Sequence, residues 1–211
     1  MSRERILDAA LAVAGEHGLA GLSMRRLAKS LGVEAMSLYN HVSSKADVLD
    51  GICERVFSEI DSPDPALPWP DQVRAVATSM HRALRRHPMV PLALVTDQSN
   101  PTSTRALRPI NDLAAALHEA GFQDNDLRCA LGAVNNVIFG SLLLSTAGFT
   151  TDQQTHTDQQ VTVYRDRIDP AQLPDFSRLL QTLPSADPEA DFQRMLDMLI
   201  SGLVATARPD T

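Results

Sequence analysis

The chain has 211 residues, of which 44% are hydrophobic, enough to bury a substantial core in one large or two small domains. Aromatic residues make up only 4%, which argues against a stacking surface for single-stranded nucleic acid or sugars. The net charge of −7 is uneven, because the first 45 residues carry six basic and four acidic side chains and the remainder carries 13 basic and 22 acidic ones. A basic end attached to an acidic body suits a protein that presents one end to DNA.

The N-terminal stretch MSRERILDAALAVAGEHG predicts a first helix from about Arg3 to His17, ended by Gly18. Its acidic residues and amphipathic pattern are not those of a signal or transit peptide. No apolar stretch of the sequence approaches the roughly 20 residues that span a bilayer. We therefore expect a soluble, cytoplasmic protein with no membrane partner.

A helix-turn-helix is predicted next, from about residue 23 to residue 42. Ser23 can cap the start of its first helix, and Gly32 can adopt the left-handed conformation that ends it. The second helix is expected from about Glu34 to Val42, with Leu38 and Val42 on its buried side. Short polar side chains on its other sides could reach base edges and phosphates, although an ordinary helical hairpin with solvated residues would show the same pattern.

The start of the following helix favours DNA binding over an ordinary hairpin. Ser44 and Asp47 have the spacing of a capping box, so a helix is expected to begin there with Lys45 in its first turn. A cation at a helix start is unfavourable for the helix dipole. It is explained if a DNA phosphate binds there, between Lys45 and the free N–H groups.

These residues closely resemble the DNA-binding domain of the tetracycline-repressor family. The resemblance lies in Gly21-Leu22-Ser23-Met24-Arg25, in Leu27-Ala28-x-x-Leu31-Gly32-Val33 and in Leu38-Tyr39-Asn40-His41-Val42-x-x-Lys45. It implies that Arg25 reaches a base, that Tyr39 and Lys45 hold phosphates, and that five residues line the major groove. These five are Ala35, Met36, Ser37, Asn40 and His41. The family often has an aromatic residue where this chain has Asn40, so the resemblance does not extend to the base preference.

A fourth helix is predicted from Lys45 to about Ile60, followed by DSPDPALPWP, whose four prolines interrupt helical structure and mark a domain boundary. We accordingly expect a DNA-binding domain at 1–61 and a ligand-binding and dimerisation domain at 62–211. Helices are predicted in the second domain at Asp71–His87, Arg105–Ala120, Asp126–Phe149 and about Pro188–Ala207, with a short apolar segment at Met89–Val95. The polar stretch at 150–160 is expected to be mobile. No convincing alternating β pattern appears in the sequence, so the predicted fold class is all-α.

Polar side chains within the apolar helices predict a small-molecule site between the Asp71 and Asp126 helices, because a buried amide or imidazole needs a partner. Each one could equally be a satisfied core group or a subunit contact. The candidate ligand-binding residues are Met80, His81, Leu84, His118, Asn135 and Phe139. Some tetracycline repressors bind a drug and magnesium through a histidine shortly after the fifth helix, but the corresponding stretch here, Met89 to Leu94, has no ligand residue. A largely apolar or aromatic effector is therefore expected.

The helix from Asp126 is apolar nearly all round, which predicts one face packed inside the subunit and another against a partner. With the last helix, it would form a four-helix bundle between two copies, as the family resemblance also implies. The predicted dimer residues are Gly132, Asn136, Gly140, Leu143, Met195, Leu199 and Leu203.

The sequence contains no common catalytic, phosphate-binding or metal-binding motif, so no enzyme activity, cofactor or metal is expected. Cys53 and Cys129 lie in apolar helical patterns and are expected to be buried thiols, with a redox sensor as the alternative. The predicted function is a dimeric repressor that a small, largely apolar molecule releases from a palindromic operator. The competing interpretation is an all-α enzyme or binding protein whose N-terminal hairpin is purely structural.

Overall fold

The computed structural model describes residues 1–146, 162–164, 166–182 and 187–207, and its regular elements in these ranges are helices. The all-α class predicted from the sequence is confirmed. The polar stretch at 150–160 and the predicted helix end at Phe149 lie outside the described residues. In chain order the helices are α1 (Arg3–Gly21), α2 (Met24–Leu31), α3 (Ala35–Leu38), α4 (Lys45–Ser58), α5 (Trp69–Arg86), α6 (Met89–Val95), α7 (Thr104–Glu119), α8 (Asp124–Thr146), α9 (Pro174–Thr182) and α10 (Pro188–Thr206).

Two predictions of helix extent need correction, and one helix was missed. Helix α1 continues to Gly21, across a kink at Gly18, whose φ of 67° is left-handed. Helix α3 ends at Leu38 rather than Val42, because the N–H of Tyr39 bonds to the carbonyl of Met36 and that of His41 to Leu38, the tight bonds of a turn. Helix α9 was not predicted.

The first compact unit comprises residues 1–119. In it α1 packs on α2, α4 and α6, while α4 also packs on α5, α6 and α7. The side chains of α4 that enter this core include Leu49, Ile52, Cys53 and Val56. The predicted domain boundary at 61/62 falls inside this unit, and as a division between a DNA-reading part and the rest it stays a prediction.

The second compact unit comprises residues 120–211, and its main described contact is between α8 and α10. Helix α10 begins at the cap Asp187, whose carboxylate accepts from the N–H groups of Glu189 and Ala190. It buries Phe192, Leu196 and Ile200. Among the described helices of the chain, none is both long and apolar enough to cross a membrane.

Candidate functional site

Helix α2 is fixed at both ends by the groups that the sequence predicts. Ser23 Oγ accepts a hydrogen bond of 3.3 Å from the N–H of Arg26 at the start. At the end Gly32 has a φ of 68°, and the N–H of Val33 bonds to the carbonyl of Ala28 over 3.0 Å. Leu27 and Ala28 are buried, so the helix is anchored by its inner side.

Leu38 and Val42 anchor α3 and the turn that follows it, since both side chains are buried. The residues between and before them point outward: Met36 is 75% exposed and Tyr39 is 46% exposed. Of the other predicted groove residues, Asn40 and His41 are exposed and Ala35 and Ser37 are half-buried. The shorter α3 therefore still presents the predicted groove residues, although Asn40 and His41 lie in a turn.

The two adjacent arginines of α2 have different environments. The guanidinium of Arg26 donates to the carbonyl of Gly21 over 2.5 Å, so it is occupied by the chain itself. Arg25 is exposed and makes no hydrogen bond or ion pair with the described residues. Only Arg25 of this pair is unengaged and can reach a ligand without breaking an existing bond.

The start of α4 is closely braced. Ser44 Oγ accepts from the N–H of Asp47 over 3.1 Å, which is half of the expected capping box. The Asp47 carboxylate does not return to Ser44 but accepts from the N–H of Ser43 at 2.7 Å and from Arg3 at 2.6 Å. Lys45 lies in the first turn as predicted, with its Nζ 3.5 Å from the carbonyl oxygen of Leu19.

The hydrogen bond from Arg3, aided by those from Ser43, lowers the pKa of the Asp47 carboxyl from 3.8 to about 2. This carboxylate stays ionised and paired at neutral pH. Arg3 thereby offsets a negative charge that would otherwise repel a phosphate at the start of α4.

Because its folded pKa is depressed, Asp47 stabilises the fold above the unfolded pKa of 3.8, and this contribution is lost as the pH falls through about 2. Asp47→Asn is expected to lower the free energy of unfolding by about 1 kcal/mol at pH 7, after allowance for the partial exposure of the pair. Urea unfolding at pH 7 and at several values below 4 should show the difference from wild type shrinking as the pH falls through about 2. Asp175→Asn is the matched control, because the Asp175–Arg178 pair is exposed, and an equal loss there would contradict the assignment.

The predicted effector residues divide between the two compact units. Met80, His81 and Leu84 are buried along α5 in the first unit, and Asn135 and Phe139 are half-buried on α8 in the second. Asn135 Oδ1 is buried and accepts no hydrogen bond from the described residues. The expectation that His118 would be buried is wrong: α7 buries Leu113, Ala116 and Leu117, and His118 lies on the exposed side.

The predicted dimer residues mostly lie on the uncovered sides of α8 and α10. A Cβ added at Gly132 or Gly140 would meet nothing within 4 Å, and Asn136 is exposed. Leu143 and Leu199 are half-buried, and Met195 is exposed. Leu203 is buried within the chain, only 7% exposed, so its side chain belongs to the core rather than to an outer face.

The two cysteines differ. Cys53 is buried, and burial raises the pKa of its thiol to about 11, so the reactive thiolate is disfavoured. The expectation that Cys129 is also buried is wrong, because it lies on an exposed side of α8. Within the part of the chain that the structure describes, no three His, Cys, Asp or Glu side chains are grouped as metal ligands.

A polar link joins α4 to the loop after α6, and no sequence pattern predicted it. Ser99 Oγ donates to an Asp50 carboxylate oxygen at 2.7 Å, and the N–H of Asn100 donates to the same oxygen at 2.9 Å. Ser99 Oγ also lies 3.2 Å from Cys53 Sγ. Residues nearly 50 apart are joined here, which no local pattern could indicate.

Comparisons with known proteins match both parts of the chain. Residues 6–52 match the model for bacterial regulatory proteins of the tetR family, and residues 62–207 match the tetracyclin repressor-like C-terminal domain. An HTH-type transcriptional regulator of Saccharopolyspora erythraea is 33% identical, covering 98% of this chain and 86% of the relative. The tetracycline repressor protein class D of Escherichia coli is 31% identical, covering 96% and 88%. The fold is also similar to the crystal structure of the Streptomyces coelicolor TetR family protein ActR in complex with (S)-DNPA. The two chains are 25% identical, the match covers 98% of each chain, and the TM-score is 0.77.

Proposed function

Since this chain belongs to the tetracycline-repressor family, we propose that it is a ligand-responsive repressor that leaves a palindromic operator when a small, largely apolar molecule binds. The observation that carries the proposal is the exposed set around α3, held outward by the buried Leu38 and Val42. The chain regulates transcription by binding DNA. Its relatives are regulators rather than enzymes, which favours this function over the enzyme interpretation.

On the duplex, α3 and its turn enter the major groove. Met36, Ser37, Asn40 and His41 face base edges, with Ala35 small enough to allow close approach. Arg25 donates to a base from α2, and Tyr39 and Lys45 donate to phosphates. On binding, Lys45 Nζ leaves its long contact with the carbonyl of Leu19 and donates to a phosphate oxygen. The new hydrogen bond is stronger because its acceptor is charged.

The working form is a homodimer in the cytoplasm, built on the uncovered sides of α8 and α10. Two-fold symmetry then gives two copies of the reader and an operator with two inverted half-sites. Support comes from the glycines whose Cβ positions are open and from the exposed Met195 and Met198 on α10. A dimer covers this apolar surface, which is costly to leave in water.

The effector is largely apolar. Met80 and Leu84 of α5 are buried apolar side chains, so the interior around this helix is apolar. Helix α6 buries Met89, Val90 and Ala93 and has no metal-ligating side chain. The ligand-bound state of ActR supports effector binding in this family. Similarity to a tetracycline repressor does not extend to a tetracycline–magnesium site, because the stretch from Met89 to Leu94 has no ligand residue.

This function is tested by replacing Arg25 and measuring the base preference of the variant. Arg25→Ala should relax the preference at one position of each half-site, at roughly 1 to 3 kcal/mol, because a side chain bonded to a base edge discriminates between bases. Binding to a panel of single-substitution operators measures it. Lys29→Ala on the same helix is the matched control. Any weakening of DNA binding that it causes should be the same for all operator sequences. An unchanged preference profile for Arg25→Ala would exclude base contact by α2.

A further inference from the structure

A hollow of about 320 Å³ lies on the second compact unit between α8 and α10. Its lining includes Asn136, Val137 and Gly140 of α8 and Pro188, Asp191 and Met195 of α10. Gly140 opens it, because a side chain there would project into space that no atom within 4 Å occupies. Most of the lining is apolar, which favours an apolar occupant.

Helix α10 also carries an exposed apolar side chain, Met198, close to this hollow. Met198 is 68% exposed, the most exposed of the large apolar side chains described in this unit. It follows Asp191 by seven residues, which is almost two helical turns, so both lie on one side of α10. The same face of the unit therefore carries both a hollow and a projection.

We propose that Met198 of a second copy of this chain inserts into the hollow beside Gly140, and that Met198 of the first copy enters the second copy's hollow in return. The inference rests on the proposed homodimer and names the contact that holds it. An isologous interface uses the same surface twice, so it must carry projection and recess together. Methionine suits this role because its unbranched side chain adapts to an irregular recess.

Charge complementarity also points to a second copy as the occupant. Asp191 brings a carboxylate to the hollow, and neither Asp191 nor the exposed Arg194 has an ion-pair partner among the described residues. Arg194 precedes Met198 by one turn on the same side of α10. A copy that inserts Met198 therefore brings the Arg194 guanidinium toward the carboxylate, which offsets the cost of covering that charge.

The test uses one variant that fills the hollow and one that removes the projection. Gly140→Leu fills the hollow, and Met198→Ala shortens the side chain that enters it. Each variant alone should raise the dimer dissociation constant at least tenfold, as expected for a central anchor of an interface. An equimolar mixture should form heterodimers within about threefold of wild-type affinity, because the filled hollow then faces the shortened side chain and the open hollow receives an intact Met198.

Native mass spectrometry with one variant labelled with ¹⁵N measures homodimers and heterodimers together. Val204→Ala is the matched control: Val204 is 51% exposed on another side of α10 and its truncation should leave the dimer unchanged. If circular dichroism shows that Gly140→Leu is misfolded, Asn136→Leu fills the same hollow. Wild-type dimerisation by Met198→Ala, or a mixture without heterodimers, would overturn the contact while leaving the dimer intact. A monomeric wild-type chain would instead overturn the homodimer itself.

Discussion

Replacing both Tyr39 and Lys45 by alanine is expected to weaken operator binding roughly a thousandfold, because a dimer then loses four phosphate contacts at about 1 kcal/mol or more each. The loss should be nearly the same for every DNA sequence, since phosphates carry no base information. The binding constant should also depend less on salt. The slope of its logarithm against the logarithm of the salt concentration should become shallower by about one unit for each lysine removed. Fluorescence anisotropy at several salt concentrations measures both quantities.

The fold should survive this double substitution. Tyr39 is partly exposed, and among the described residues the Lys45 side chain donates only the long hydrogen bond to the carbonyl of Leu19. Thermal unfolding checks this point. Tyr39→Phe is the control for the ring, and it should lose only the hydroxyl contact. Wild-type affinity of the double variant would show that this surface does not dock on DNA.

The second large effect is a mutual weakening of operator and effector. A dimer must hold its two copies of α3 about one turn of DNA apart, roughly 34 to 36 Å. A small tilt of each copy therefore removes DNA contacts at both half-sites. Effector binding that favours the tilted state by about 1 to 3 kcal/mol per subunit would lower operator affinity by roughly 30-fold to 25,000-fold when both subunits are occupied. By linkage, operator DNA must weaken effector binding by the same factor.

Helix α4 has the contacts to supply that tilt. It packs on α1 of the reader and on α5, α6 and α7. Asp50 ties it to Ser99 and Asn100 after α6, and just beyond its end Arg86 pairs with Glu59 over 2.7 Å. A displacement of α5 or α6 is therefore passed to α4, because polar links between packed helices resist independent movement.

Thermal-shift screening of apolar and aromatic compounds should identify an effector, and calorimetry with and without operator then measures the coupling. Ser99→Ala should reduce the coupling while leaving each separate affinity close to wild type. Ser30→Ala is the matched control, because among the described residues Ser30 Oγ donates only to the carbonyl of Leu27 within its own helix. Equal effector affinities with and without operator would show that the two sites are uncoupled.

The DNA-reading part could be predicted closely because its signals are local. Ser23 and Gly32 mark the ends of α2 through their own backbone chemistry, and Leu38 and Val42 are spaced to share a buried side. The length of α3 was overestimated because the side-chain pattern continues through the turn at residues 39–41. A projection of side chains does not distinguish α-helical hydrogen bonds from those of a tight turn.

The second unit was predicted less well because its helices are apolar on several sides. Periodicity on such a helix does not indicate which side packs against the core. This explains the wrong expectation that Cys129 is buried, and it also explains why the burial of Leu203 within the chain was not foreseen. Helix α9 did have a signal, since Pro174 and Asp175 suit a first turn. Its apolar side chains Phe176 and Leu179 are largely exposed, so they do not form a clear buried stripe.

The most direct test of the account is selection of bound sequences from random DNA duplexes by the full-length protein. A dimer that reads DNA with α3 predicts a palindrome whose half-site centres are about one helical turn apart or a multiple of it. Arg25→Ala should recover the same palindrome with one relaxed position in each half. Recovery of no enriched sequence, or of a single half-site without its inverted repeat, would contradict a dimeric operator-binding repressor.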